Sequence, residues 1–145
     1  MTAAALLFTL AALGISETVY LIRKRIASQK PFCPLGESCT LVLSSDYSKL
    51  FFIPNDILGL LFYIVSSVIT AFLVIGVGPV SLWIFSIRTM VILGSLLSIY
   101  FVYLQWQVIR AWCFWCVMSA LTVWLMGVIL FSSSFFSSVS YPFSV

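Results

Sequence analysis

Four cysteines, Cys33, Cys39, Cys113 and Cys116, are the groups in this chain best suited to covalent chemistry at neutral pH. There is no histidine, so the commonest general base and metal ligand is missing. The cysteines fall into two pairs. Cys33 and Cys39 lie six positions apart in a segment whose Pro34 and Gly36 permit the reversal that a short disulfide loop needs. Cys113 and Cys116 form Cys-Phe-Trp-Cys at the start of an apolar run, and on a helix that spacing puts both sulfurs on one face, near enough to bridge. A helix N-terminus stabilises a thiolate through its free N–H groups and partial positive charge, and Arg110 is expected to add to this. A thiol with a lowered pKa is a better leaving group and electron donor at neutral pH. An exposed pair beside a membrane-embedded pair suits a two-stage relay, with the outer pair meeting a partner protein and the inner pair something dissolved in the membrane. The competing uses are inert structural disulfides, plain apolar packing of free thiols, and a zinc site. Zinc ribbons pair two close Cys-x-x-Cys knuckles on soluble turns, whereas here one pair is wider and the other opens a membrane helix.

The elements that must position these sulfurs can be read from composition. Of 145 residues, 63% are hydrophobic and 8% charged. Soluble domains carry about 25% charged residues, so a soluble or a disordered chain is excluded. A net charge of +3 from seven basic and four acidic residues is too small for a nucleic-acid surface. A membrane span takes about 20 residues, and four fit. The first apolar run covers 2–22 and stops at Arg23-Lys24-Arg25; it is read as a retained helix rather than a signal peptide. Glu17 in it is expected to snorkel to the interface or to pair with a neighbouring base. Residues 23–56 form the one sizeable polar loop, with 41–52 amphipathic enough for a short helix at the membrane surface. The second span covers 57–75 and breaks at Gly76-Val77-Gly78-Pro79. A third begins within 80–88, with Arg88 as an interfacial anchor, and runs to about 107. After a short connection at 108–112 the fourth covers 113–131. The expected fold is therefore an all-α membrane protein, a four-transmembrane-helix bundle with a cysteine-bearing loop and a short surface helix between the first and second helices. Residues 1–131 make the membrane domain, and 132–145 a Ser/Phe-rich low-complexity tail. Up-down order places the 23–56 loop and the 108–112 connection on one membrane face, which gathers all four cysteines there.

These residues, read in order, resemble a known family. Cys33-(x5)-Cys39, Ser45-Asp46-Tyr47, Ile53-Pro54-Asn55-Asp56-Ile57-Leu58-Gly59, Tyr63, and Cys113-Phe-Trp-Cys116 followed by Val117-Met118-Ser119-Ala120 are similar to the vitamin K epoxide reductase family. The likeness covers nearly the whole chain except the tail. A second family of quinone-linked disulfide oxidases also has four helices and two cysteine pairs, but with the pairs in the opposite order.

The resemblance implies a membrane thiol:quinone oxidoreductase built as a four-helix bundle around a quinone pocket. Cys113 and Cys116 match the family's redox-active pair, with Cys116 facing the quinone, and Cys33 and Cys39 match its shuttle pair. Ser45 and Asn55 match polar positions of the quinone site; the plainer alternatives are that Ser44 or Ser45 caps the surface helix and that Asn55 caps the second span. Ala120 stands where the animal epoxide-reducing enzymes carry a tyrosine, so reduction of a plain quinone such as ubiquinone or menaquinone is expected instead of epoxide reduction. The dithiol donor is expected to be a thioredoxin-like protein acting in trans. The rival from another class is a non-enzymatic membrane scaffold subunit with structural disulfides. Orientation divides the arguments. The family's active site lies outside the cytoplasm, in the oxidising compartment, and that side is expected here in a multi-pass protein of the cell membrane. The positive-inside rule points the other way, because Arg23, Lys24, Arg25, Lys30, Lys49 and Arg110 crowd the cysteine face.

Overall fold

The first apolar run becomes helix α1 (Thr2–Ile26), with Arg23, Lys24 and Arg25 in its last turn, where cations meet the negative end of the helix dipole. The structure is a computed structural model that describes residues 2–34, 36 and 38–140, the last seven by backbone alone. Helix α2 (Ser38–Ser44) comes next in the polar loop, then a single 3-10 turn (Asp46–Ser48) and a two-stranded antiparallel hairpin of β1 (Lys49–Leu50) and β2 (Ile53–Pro54). Helix α3 (Asn55–Ile75) starts directly after Pro54. It ends at Gly76, whose left-handed φ of 74° lets its N–H reach the Phe72 carbonyl. Helix α4 (Val80–Tyr103) begins after Pro79 and runs into a π-helical turn, Leu104–Ile109. Helix α5 (Phe114–Ser140) is the last element among the described residues.

Four of these segments are long and apolar enough to cross a membrane: Thr2–Ile26, Asn55–Ile75, Val80–Ile109 and Phe114–Ser133. The fold is thus the all-α, four-span bundle expected. Helix α1 packs on α3 and α5, and α4 packs on the same two, so the four close into a ring. One half of the ring is filled by Leu7, Ala11, Tyr63, Ile69, Ile87, Val91, Val123, Met126 and Leu130. Close approach of α1 to α3 depends on Gly14, where any Cβ would collide with the Tyr63 ring.

Two boundaries differ from the sequence expectation. The surface helix lies at Ser38–Ser44, not at 41–52. Its buried side chains, Cys39 and Val42, are three apart, and Ser45 turns its hydroxyl onto the Val42 carbonyl (2.7 Å), a local bond that competes with helix continuation. Beyond the 3-10 turn the chain forms the hairpin instead, and its tip, Phe51-Phe52, is almost fully exposed with both residues at positive φ. At the other end, the fourth helix passes the start of the Ser/Phe-rich segment and continues to Ser140; residues 141–145 lie outside the described residues.

Candidate active site

Cys113 is buried and stands immediately before α5, not within its first turn. It serves as the helix cap: its carbonyl accepts from the Val117 N–H (3.0 Å), and its sulfur accepts from the Cys116 N–H (3.4 Å) as a cap serine oxygen would. The Cys113 thiol is held below the usual thiol range, first by a hydrogen bond from the Cys116 thiol, then by the N–H groups of Cys116 and Trp115, against an opposing effect of burial. Arg110, expected to help, is exposed and contributes a backbone turn at φ 52° instead. The π-helical turn supplies the remaining support. In it, buried Gln105 takes the Ala111 N–H on its carbonyl (3.2 Å) and the Cys113 N–H on its side-chain oxygen (2.9 Å). A wider turn of this kind commonly marks a functional position. Cys113 and Cys116 are both free thiols.

Cys33 and Cys39 are joined by a disulfide. Cys39 is fully buried and packs with Val42, Ala111 and Cys113, while Cys33, Trp115 and Cys116 border the same cluster. The fold therefore brings all four cysteines into one packed group, although 74 residues separate Cys39 from Cys113. Two side chains hold the loop there by the backbone next to Cys33. The Trp115 indole N–H donates to the Phe32 carbonyl (2.7 Å), and the Phe32 N–H donates to the Tyr20 hydroxyl (3.0 Å). The Tyr20 and Trp115 rings stack against each other with centroids 4.7 Å apart.

Behind Cys116 the ring of helices encloses a cavity of about 340 Å³, within the range of small-molecule sites. Apolar and small residues make most of its wall, among them Leu58 and Phe62 of α3, Gly94 and Leu97 of α4, and Ala120 and Val123 of α5. Thr40, Val42, Leu43 and Ser44 of the loop line it as well. Polar residues also line it, Asn55, Ser119 and Glu17 among them, and the Glu17 Oε2 is buried with no hydrogen-bond partner. Glu17 thus does not form the expected pair with a base; the ion pair among the lining residues joins Arg25 to Asp56 (2.8 Å). Ser119 also accepts the Tyr63 hydroxyl, which lies 3.0 Å from its carbonyl and 2.8 Å from its Oγ, tying α3 to α5.

Of the residues singled out by sequence, Cys116 and Asn55 line the cavity, and Cys113 sits beside it in the sulfur cluster with Cys33 and Cys39. Asn55 opens α3 one position after its cap, Pro54, so it is not the cap residue. Ser45 does not line the cavity, because its hydroxyl is engaged with Val42; its neighbour Ser44 does. Sequence reasoning passes over Tyr20, Gln105, the Trp115 indole and the Arg25–Asp56 pair. One of them leaves a trace, since Gln105 interrupts an apolar run eight residues before Cys113.

In comparison with known families, residues 5–131 match the model of the Vitamin K epoxide reductase family. No curated protein matches the chain.

Proposed function

The chain belongs to the vitamin K epoxide reductase family and is on that ground a membrane thiol–disulfide oxidoreductase; we propose that it passes electrons from a thioredoxin-like dithiol protein to a membrane quinone and so drives disulfide formation in other proteins. One observation carries this reading: the bridged Cys33–Cys39 pair packs against Cys113, and Cys116 forms part of the wall of an apolar cavity inside the bundle. The route has two stages. The partner's dithiol reduces Cys33–Cys39 by two exchange steps and leaves oxidised. A loop thiolate then attacks Cys113 in the Cys113–Cys116 disulfide, and the Cys116 thiolate is released toward the cavity. A second exchange re-forms Cys33–Cys39 and leaves Cys113 and Cys116 reduced, which is the combination of bridged loop pair and free inner pair in the structure.

The cavity suits a quinone head group by size and by its largely apolar wall, with the Asn55 amide as the donor to a carbonyl. A bound quinone accepts two electrons and two protons and leaves as a quinol. The chain's part is to hold that ring beside Cys116, to exclude bulk water with the loop residues that line the cavity, and to keep Cys113 as the better electron donor of its pair. The cysteine face lies outside the cytoplasm on this reading, where disulfides persist.

The test is reoxidation of the reduced protein by added quinone, with Cys116→Ser beside it. The variant is expected to lose quinone reduction while Cys113 is still trapped in a disulfide with a loop cysteine. Persistent quinone turnover in Cys116→Ser refutes the assignment. Asn55→Ala is expected to weaken quinone binding by several-fold to about tenfold, the worth of one hydrogen bond to a neutral carbonyl, with exchange between the pairs intact.

A further inference from the structure

None of the steps of that route gives Glu17 a role, yet it faces the cavity with a buried, unpartnered carboxyl oxygen. An ionisable side chain at membrane depth is costly to keep and commonly marks a proton path. Glu17 lies seven residues, about 10 Å of helix rise, deeper along α1 than Lys24. The cations that share the cavity wall with it are engaged elsewhere, Arg25 with Asp56 (2.8 Å) and Lys24 with Gln29 (3.1 Å). A molecule entering the cavity is therefore what can meet this oxygen.

The proton balance of the site says what the meeting accomplishes. A fully protonated Cys113–Cys116 dithiol would supply the two electrons and two protons that turn a quinone into a quinol. Cys113, however, is held below the usual thiol range. To the extent that it has already lost its proton to water, the pair delivers two electrons and one proton, and the product lacks the second.

We propose that Glu17 is the proton donor that completes quinone reduction in this cavity, an inference that rests on the quinone reading above. In the balanced step, the Cys113 thiolate and the Cys116 thiol form one S–S bond and release two electrons. One proton leaves Cys116 Sγ and the other leaves the Glu17 carboxyl, so that both carbonyls become hydroxyls. Glu17 is left as a carboxylate and regains its proton from water by way of the cavity wall, which includes Lys24 and the exposed Gln29. The other titratable groups on the wall are Lys24 and Arg25 of α1, Tyr47 of the loop, Asp56 and Tyr63 of α3, and Cys116 of α5; α4 contributes none among the described residues.

The test compares the full chain with Glu17→Gln, which keeps size and polarity but has no acidic proton. Both are reconstituted in lipid nanodiscs, reduced, and given a short-chain ubiquinone. Binding is followed by quenching of tryptophan fluorescence, proton release by the infrared band of a protonated carboxyl, and chemistry by single-turnover reoxidation. The wild type is expected to lose the carboxyl band during the step, and Glu17→Gln to lack it while binding the probe as before. Reoxidation in the variant is expected to slow by about a hundredfold, the usual contribution of a general acid. Its rate is also expected to lose the fall toward high pH that the wild type shows as Glu17 ionises, while keeping the rise set by Cys113. Equal rates and pH profiles in the two proteins overturn the inference and leave the quinone reading standing. Loss of probe binding in Glu17→Gln with an unchanged pH profile also overturns it, by making Glu17 a binding group. A wild type that passes no electrons to the probe fails the quinone reading itself, and the inference with it.

Discussion

Cys113 does two things with one sulfur. It caps α5, and by accepting the N–H groups and the thiol at that helix start it becomes the more acidic thiol of its pair. Cys116→Ala removes the thiol donor and spares the backbone donors. The pH midpoint for alkylation of Cys113 is then expected to rise by about half to one pH unit, the worth of one hydrogen bond, with a slower reaction at neutral pH. An unmoved midpoint would assign the lowering to the helix N–H groups alone. Trp115 matters at the same scale, because its indole N–H holds the Phe32 carbonyl next to Cys33. Trp115→Phe keeps the ring stacked on Tyr20 and loses that bond. Electron transfer from the loop pair to Cys113–Cys116, measured by trapping of mixed disulfides, is expected to slow several-fold, while a small permeant dithiol reduces Cys113–Cys116 at the original rate. Equal slowing with both reductants would mean that Trp115 shapes the inner pair rather than the junction.

Among the elements, the joint between α1 and α3 sets the floor of the loop that carries Cys33 and Cys39. The Asp56 Oδ1 receives both the Arg25 guanidinium (2.8 Å) and the Ile57 N–H (3.0 Å), which pins the last turn of α1 to the first turn of α3. The pair is asymmetric: the Asp56 side chain is 6% exposed and that of Arg25 40%. Removing the arginine strands a buried carboxylate, whereas removing the carboxylate charge leaves a guanidinium that water can solvate. Arg25→Ala is therefore expected to cost about 1.5–3 kcal/mol and Asp56→Asn less, read as shifts in thermal unfolding of the detergent-solubilised protein. Equal shifts would sink the asymmetry. The π-helical turn plays the matching part at the end of α4, since its extra width brings Gln105 under both the Ala111 and Cys113 N–H groups.

At the scale of the whole molecule the ring of helices is divided along its length. One half is a packed core from Leu7 to Leu130; the other is hollow, lined in part by the loop and by Cys116, with the other three sulfurs packed next to Cys116. The quinone reduction proposed above needs both, a rigid frame and a cavity that a lipid-soluble ring can enter. The sulfur end also carries most of the positive charge, so the outward orientation proposed for it runs against the charge rule. After mild reduction of intact cells, an impermeant thiol reagent is expected to label Cys33 or Cys39. Labelling only after the membrane is breached would turn the molecule over and place its disulfide chemistry in the cytoplasm.

Much of this protein can be read from its residues in order. Long apolar runs punctuated by Arg23-Lys24-Arg25, Gly76–Pro79 and the 108–112 connection specify four spans, because burial in lipid depends on local composition and length alone. Up-down order then sends both cysteine pairs to one face without any knowledge of packing. What lies beyond that reach depends on partners distant in sequence. The loop's short helix falls at Ser38–Ser44 because Cys39 and Val42 find a buried place against Ala111 and Cys113, which amphipathicity within the loop does not reveal. Sequence proximity directs Glu17 to Arg23 and its neighbours, but which carboxylate takes the available guanidinium is decided by where α3 crosses α1, and Asp56 is the one in reach. The same crossing leaves Glu17 facing a cavity, and a cavity is a property of four helices together: no single run of residues encodes it, because its volume is what their side chains leave unfilled.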